Sequence, residues 1–300
     1  MENRCPPARG ELRFVDVFVG GPSGGNPVPF VADASSMTPE GMQEVARMTG
    51  HESAFALKPT DGAANIRLRF FVPKHEMEMC GHATVGTLWA LKQWGMWDGA
   101  PVRIETLSGL VDAEWDADGA LAWISQPTVQ RAELTDIERA AVAEVLGLPT
   151  GRLPAMTNSA TSRVKTLVEM PDIASLNALT PRFEAMEALC ISIGSTGLYP
   201  YAVAGQDDHG RLQVAARQFP RSSGYPEDAA TGIAAAALWG HLAASGRVSM
   251  GESDTSSICT IRQGDAMGRP SAIQIRARFD ESGRPAGCWL SGRVTWAAPA

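Results

Sequence analysis

The chain has 300 residues, a mass of 31.9 kDa, a formal charge of -7 and a pI near 5.3. This length predicts two domains of roughly 150 residues each, or one large domain. The 26 basic residues form no run, which argues against a nucleic-acid-binding protein and favours a small-molecule partner. Five cysteines without a paired C-x-x-C spacing predict neither disulfides nor a zinc site, as is typical of the cytoplasm. We find no apolar stretch of about 20 residues, so no membrane span is predicted.

The first half of the chain predicts a strand from Leu12 to Val19, a glycine-rich turn and then a helix. Thr38 is the expected N-cap of that helix, and Gly50 is its expected end. Glu52 is therefore expected just beyond the C-terminus of the helix. A second helix, composed mostly of small residues, is predicted over 81–91, and such helices are usually tightly buried.

The second half is predicted to begin after a polar stretch at 126–134, where Thr135 and Glu138 form a capping box. We expect a first domain at 1–126, completed by the C-terminal strand 288–300, and a second domain at 127–287. A small-residue helix at 231–239 echoes the helix at 81–91, since both have Gly-x-Ala at the start and Leu-Trp further on. This echo indicates two halves of similar design.

Three ordered segments carry the strongest functional pattern. They are Gly25-Asn26-Pro27 with His51-Glu52-Ser53-Ala54-Phe55, then Glu78-Met79-Cys80-Gly81-His82-Ala83-Thr84, then Gly224-Tyr225-Pro226-Glu227-Asp228-Ala229-Ala230-Thr231-Gly232. Together they resemble the phenazine-biosynthesis PhzF-like family, over nearly the whole chain. The resemblance implies the α+β fold of diaminopimelate epimerase, in which two similar domains each wrap a curved, mostly antiparallel sheet around a central helix. It also implies an active site in the cleft between the domains, and a homodimer.

The residues themselves suit a small acidic metabolite as substrate. The segments at Cys80 and Asp228 place polar groups and glycines at the N-terminus of a small-residue helix, where free N–H groups and the helix dipole favour a carboxylate. The expected substrate-binding residues are Asn26, Cys80, Gly81, Ala83, Thr231 and Gly232.

The resemblance implies that Glu52 is the catalytic base and acid, with His82 and Asp228 assisting. One carboxylate can remove a proton from one carbon and return it to another, which moves a double bond without metal or coenzyme. The expectation is a cofactor-free isomerase. Each residue also has a structural interpretation: Glu52 as a solvated glutamate, His82 as a buried histidine and Asp228 as an N-cap.

Two departures from the family pattern bear on the substrate. The phenazine-type isomerases carry Ser before the catalytic Glu and Pro after the His, whereas here His51 precedes Glu52 and Ala83 follows His82. The resemblance therefore does not assign the phenazine precursor, 2,3-dihydro-3-hydroxyanthranilate, as the substrate.

Four further interpretations stay open. An amino-acid racemase or epimerase would use Cys80, but diaminopimelate epimerase needs two cysteines, and Asp228 occupies the second position. A serine hydrolase would use Ser23, in a G-x-S-x-G match that Pro27 prevents from continuing into a helix. A metal enzyme would use the segment 75–78, but this single charged turn has no second cluster of ligands and is more typical of a solvated loop. The fourth is a non-catalytic binding protein with the same fold.

Overall fold

The computed structural model describes residues 5–149, 151, 153–248 and 258–297. The chain divides into two compact units, Met1–Ser125 with Leu290–Ala300 and Gln126–Trp289. Residues 1–4 and 298–300, which form the ends of the predicted first domain, lie outside the described residues. The longest described helices have 13 residues, which is too short to cross a bilayer.

The first unit contains two helices and a mixed sheet within its described residues. The helices are α1 (Pro39–Thr49) and α2 (Gly81–Gln93). The strands are β1 (Leu12–Val17), β2 (Asn26–Val31), β3 (Ser53–Leu57), β4 (Ile66–Val72), β5 (His75–Met77), β6 (Val102–Thr106), β7 (Gly109–Asp116), β8 (Leu121–Gln126) and, from the C-terminal segment, β18 (Val294–Trp296). The sheet order is β18-β1-β2-β3-β4-β6-β7-β8, and β5 forms a hairpin with β4.

Both predicted helices of this unit are confirmed. The Thr38 hydroxyl accepts a hydrogen bond from the Gly41 amide at 3.2 Å, and Gly50 ends α1 in the left-handed conformation at φ 70°. Helix α2 packs against β1, β2 and β3 and is buried along most of its length. A Cβ on Gly86 would lie 2.7 Å from a methyl of Val17, so this glycine allows the close approach of α2 to β1.

In the part of the second unit that the structure describes, there are four helices, a short 3-10 helix (Asp265–Met267) and nine strands. The helices are α3 (Asp136–Leu146), α4 (Ile173–Asn177), α5 (Phe183–Ser192) and α6 (Gly232–Ala244). The strands are β9 (Gln130–Glu133), β10 (Met156–Ala160), β11 (Val164–Glu169), β12 (Gly197–Gln206), β13 (Leu212–Ala216), β14 (Phe219–Pro220), β15 (Cys259–Gln263), β16 (Ser271–Phe279) and β17 (Pro285–Ser291), whose last two residues belong to the first unit. The sheet order is β9-β10-β11-β12-β13-β15-β16, and β14 pairs with one end of β12.

Two predictions for this unit are confirmed by its helices. The capping box of α3 is present, with the Thr135 hydroxyl accepting from the Glu138 amide and the Glu138 carboxylate accepting from the Thr135 amide. The second small-residue helix is α6, which packs against β10, β11 and β16 and is almost completely buried. A Cβ on Gly240 would lie 2.0 Å from a methyl of Val129, so α6 also requires a glycine at its closest approach.

The two units share one order of strand pairings. In the first, an antiparallel pair β1–β2 is followed by the parallel pair β2–β3 across α1, the antiparallel pair β3–β4 and the parallel pair β4–β6 across α2. In the second, the same series runs through β10–β11, then β11–β12 across α4 and α5, then β12–β13, then β13–β15 across α6. The two buried helices occupy equivalent places, as their sequence echo predicts.

Candidate active site

Glu52 lies in the short link between α1 and β3. Gly50 turns the chain out of the helix, and β3 begins at Ser53, directly after Glu52. The side chain of Glu52 is 24% exposed, so this carboxylate is partly enclosed but still open to solvent. Because β2 and β3 are parallel neighbours, Asn26 at the start of β2 lies at the same end of the sheet as Glu52.

Cys80 and His82 surround the carboxylate of Glu52. The Cys80 thiol donates a hydrogen bond to Oε2 of Glu52 at 3.1 Å, and its Sγ lies 3.3 Å from Nδ1 of His82. Nε2 of His82 is 3.7 Å from the same carboxylate oxygen. Cys80 and His82 are both buried, at 3% and 6% exposure. The structure therefore brings together three predicted site residues that lie up to 30 positions apart in sequence.

The N-terminus of α2 positions this group. Cys80 is the N-cap residue, and the Thr84 hydroxyl donates to its carbonyl at 2.8 Å. Gly81 and Ala83, also predicted site residues, are buried in the first helical turn. The side chain of Cys80 does not cap the helix, in contrast to Thr38, Thr135 and Asp172 at α1, α3 and α4. The first N–H groups of α2 thus lack a cap from the N-cap side chain.

The second predicted segment lies at the N-terminus of α6. Asp228 does not occupy the N-cap position, so that interpretation of its role is wrong: the N-cap is Thr231, three residues later. The Thr231 hydroxyl donates to Oδ2 of Asp228 at 2.5 Å, and Gly232 begins the helix. Here too the N-cap side chain makes no capping hydrogen bond, because the Thr231 hydroxyl points to the Asp228 carboxylate.

Gln263 and Tyr199 fix this segment, and the sequence does not predict either of them as a site residue. The fully buried amide of Gln263 donates to the Asp228 carbonyl at 2.7 Å and to the Thr231 hydroxyl at 3.2 Å. Its oxygen accepts from the Tyr199 hydroxyl at 2.9 Å, and burial raises the pKa of that phenol well above its ordinary value. Neither residue belongs to a motif, and both meet the Asp228 segment only through tertiary folding.

An ion pair anchors the residue next to Asp228. Arg217 forms a bidentate salt bridge with the Glu227 carboxylate, with N–O distances of 2.9 and 2.7 Å, and both side chains are about 10% exposed. The same guanidinium donates to the Leu179 carbonyl at 2.9 Å and lies over the Phe219 ring, 4.8 Å from its centre. The Asp228 amide also donates to the Gln218 carbonyl at 3.0 Å. The backbone at Asp228 is therefore held from both sides.

The cysteines of the second unit do not match a two-thiol racemase. Cys190, Cys259 and Cys288 are all buried, and burial raises the pKa of the Cys190 thiol to about 11 and that of Cys259 to about 12. Burial likewise raises the pKa of Cys288. A thiol that stays protonated in this way is a poor acid–base catalyst near neutral pH.

Ser23 lacks the local structure that a serine hydrolase needs. It is exposed in a turn, and the chain continues from it into strand β2 rather than into the helix that a nucleophile elbow requires. The structure therefore argues against Ser23 as a nucleophile.

The segment 75–78 forms a strand over most of its length. The prediction of a solvated loop is wrong for its first three residues, which form β5 because they pair with the end of β4. Glu76 in that strand pairs with Arg69 at 2.6 and 2.7 Å, so its carboxylate has a structural partner.

Comparison with known proteins identifies the family. The family model described as phenazine biosynthesis-like protein matches residues 15–296. An uncharacterized isomerase of Deinococcus radiodurans is 32% identical, with 88% of this chain and 86% of that protein covered. Trans-2,3-dihydro-3-hydroxyanthranilate isomerase of Pseudomonas chlororaphis is 31% identical, with 88% and 89% covered.

Solved structures show the same fold. The crystal structure of a PhzF-family phenazine biosynthesis protein from Bacillus anthracis superposes with a TM-score of 0.81 at 22% identity, over 96% of each chain. The predicted α+β, diaminopimelate epimerase-like fold is thereby confirmed. The chain belongs to the phenazine biosynthesis-like (PhzF) family of isomerases.

Proposed function

We propose that this chain is a cofactor-independent isomerase that moves a proton, and with it a double bond, within a small carboxylate-bearing metabolite. The observation that carries the proposal is the placement of Glu52. Its carboxylate is partly open to solvent, while Cys80 and His82 contact it from the protein side. A carboxylate held this way can accept a proton from a substrate carbon and return it to another carbon on the same face.

Cys80 and His82 have positioning roles in this mechanism. The thiol donor at 3.1 Å fixes one carboxylate oxygen of Glu52 and leaves the other available to the substrate. Nε2 of His82 lies 3.7 Å from the bound oxygen, so the ring limits the movement of the carboxylate on the protein side. A base that is oriented before substrate binds loses less entropy in the transition state.

Asp228 is proposed as the second polar group of the reaction. Its carboxylate is oriented by the Thr231 hydroxyl, and its backbone by Gln263. A group fixed in this way can assist proton transfer or hold a polar substituent of the substrate without reorganising during the reaction.

Substrate carboxylate binding is proposed at the helix N-termini. The N-cap side chains of α2 and α6 leave the first N–H groups uncapped, and the helix dipole favours an anion there. We assign this role to the first turns at Cys80, Gly81 and Ala83 and at Thr231 and Gly232. Asn26 is added as a polar contact, since it lies at the same end of the sheet as Glu52.

The name of the Pseudomonas chlororaphis relative supplies a first candidate substrate, trans-2,3-dihydro-3-hydroxyanthranilate. This compound has the carboxylate and the transferable proton that the proposed site requires. Because His51 and Ala83 depart from the phenazine-type pattern, related cyclic amino acids from other biosynthetic routes belong in the same screen.

The proposal is tested by substituting Glu52→Gln, which keeps the shape and removes the base. The matched control is Glu78→Gln, the same change at an exposed glutamate two residues before Cys80. We expect Glu52→Gln to lower the rate by at least about 1,000-fold, as removal of a general base does, and Glu78→Gln to stay within about threefold of wild type. A Glu52→Gln enzyme with wild-type turnover of a substrate that the wild-type enzyme converts would refute the proposed role.

A cytoplasmic location stays a prediction from the cysteine content, and a homodimer stays an expectation from the family resemblance. Both are readily measured, the first by fractionation of cells and the second by light scattering of the purified chain.

A further inference from the structure

Glu52, Cys80 and His82 also form a set of potential metal ligands. One carboxylate oxygen, one sulfur and one ring nitrogen from these residues all lie within 4.8 Å of one another. We propose that this group is a binding site for a thiophilic divalent cation, Zn2+ in the first place, and that the bound cation inhibits the enzyme. The inhibition rests on the proposed function, whereas the binding does not.

The distances between the three groups are close to those of a zinc site, although the His82 ring is not yet oriented for one. Ligands placed about 2.0–2.3 Å from a tetrahedral Zn2+ lie about 3.3–3.7 Å from one another. Here Oε2 of Glu52 is 3.1 Å from Sγ of Cys80 and 3.7 Å from Nε2 of His82, and Sγ is 3.9 Å from Nε2. The three distances are close to the edges of one tetrahedral face, but Sγ lies nearer to Nδ1, at 3.3 Å, so the imidazole ring must turn before its Nε2 and the thiolate face the same cation.

The chemistry of the donors selects the metal. A thiolate and an imidazole together favour Zn2+, Cd2+ or Co2+ and disfavour Mg2+ and Ca2+, which prefer oxygen ligands. Three protein ligands leave a fourth position for water, as in many zinc sites that stay open to solvent. Binding transfers the Cys80 thiol proton to the buffer, because the thiolate is the ligand.

The surroundings supply both rigidity and access. Cys80 and His82 belong to the buried N-terminus of α2, and the Thr84 hydroxyl donates to the Cys80 carbonyl at 2.8 Å, so the backbone that carries two of the ligands is already ordered and the His82 ring is the part that turns. The Glu52 side chain is the exposed member at 24%, so a cation reaches the group from the solvent side of this carboxylate. That carboxylate is the proposed base, and once it is bound to a cation it no longer accepts a proton.

Binding is tested on the full chain after treatment with chelator, in a reducing buffer that does not coordinate metals. Titration with Zn2+ by calorimetry is expected to show one site per chain, and titration with Co2+ is expected to show the sulfur-to-cobalt charge-transfer band of a thiolate ligand. Cys80→Ser and Glu52→Gln are expected to weaken Zn2+ binding by at least about 100-fold and 10-fold, respectively. Circular dichroism of both variants verifies that they are folded.

The matched controls are Cys5→Ser and His75→Gln, which remove an exposed cysteine and an exposed histidine. Both are expected to bind Zn2+ as wild type does, and Mg2+ is expected to give no binding signal. Absence of a stoichiometric site in the wild-type chain, or Zn2+ binding unchanged in Cys80→Ser, would overturn the proposed site. Activation by Zn2+, instead of inhibition, would overturn the cofactor-free mechanism and leave the binding site standing.

Discussion

The thiol of Cys80 donates a hydrogen bond to Oε2 of Glu52 at 3.1 Å, so the cysteine orients the carboxylate from the protein side. This relationship distinguishes a positioning thiol from a catalytic one. Serine keeps a donor at the same place, whereas alanine removes it.

We therefore expect Cys80→Ser to retain activity within about threefold and Cys80→Ala to lose about 10-fold, the kinetic equivalent of one hydrogen bond to a charged group. The measurement is kcat and KM for the two variants on one substrate. A loss of about 1,000-fold or more in both variants would instead make Cys80 the acid–base group, as a racemase requires.

Tyr199 is expected to act on the site through Gln263. Tyr199→Phe removes the hydroxyl that donates to Oε1 of Gln263 at 2.9 Å. The Gln263 side chain, which donates to the Asp228 carbonyl, is then held less firmly. The expected cost in the free energy of unfolding is about 1 kcal/mol, with a decrease in kcat.

The matched control for Tyr199→Phe is Tyr201→Phe in the same strand, whose hydroxyl donates to Glu169 at 3.1 Å rather than to the Asp228 network. It is expected to cost similar stability with kcat unchanged. Equal effects of the two variants on kcat would assign Tyr199 a purely structural role.

The sequence predicts the elements whose ends are encoded locally. Helices α1 and α3 begin at Thr38 and Thr135, because N-cap side chains specify a helix start within a few residues. Strand β3 at Ser53–Leu57 is not predicted, since it is buried nearly throughout and lacks the alternation of a half-exposed strand.

Local sequence predicts which residues belong to the site, but it does not predict all of the contacts between them. The sequence offers Asp228 as the N-cap because aspartate is a preferred capping residue, and only the fold shows that Thr231 holds the position. Gln263 reaches Asp228 across 35 positions in sequence, and no local pattern encodes that pair.

Gly240 is expected to be essential for packing of the second unit. In Gly240→Ala the new methyl would lie 2.0 Å from a methyl of Val129, so the helix or the valine must move. We expect a loss of about 1–3 kcal/mol in the free energy of unfolding.

The same substitution at Gly41 is the control, since a Cβ there meets nothing closer than the Thr38 hydroxyl oxygen at 3.7 Å. Gly41→Ala in α1 is expected to stabilise the chain by about 0.5–1 kcal/mol, because alanine favours the helix. Urea denaturation is expected to show changes of opposite sign in the free energy of unfolding of the two variants. An unchanged free energy of unfolding in Gly240→Ala would contradict the close approach of α6 to Val129.

The thiols of the second unit are expected to resist alkylation in the folded chain. With the pKa of Cys190 raised by burial to about 11, only about one thiol in a thousand is ionised at pH 8, and the burial of Cys259 and Cys288 acts in the same direction. Exposed Cys5 serves as the internal control and should react first. The measurement is iodoacetamide labelling followed by mass spectrometry, and rapid labelling of Cys190 or Cys259 in the native state would revive a two-thiol racemase.

The proton carried by Glu52 can be followed directly in deuterium oxide. Wild-type enzyme, Glu52→Gln and Cys80→Ser are each incubated with a substrate that the wild-type enzyme converts, and NMR monitors the double bond and the deuterium at each carbon. The proposed mechanism predicts migration of the double bond in the wild-type and Cys80→Ser samples. In Glu52→Gln, neither migration of the double bond nor enzyme-dependent deuterium exchange is expected. Inversion of a stereocentre that depends on Cys80 and proceeds without Glu52 would contradict it.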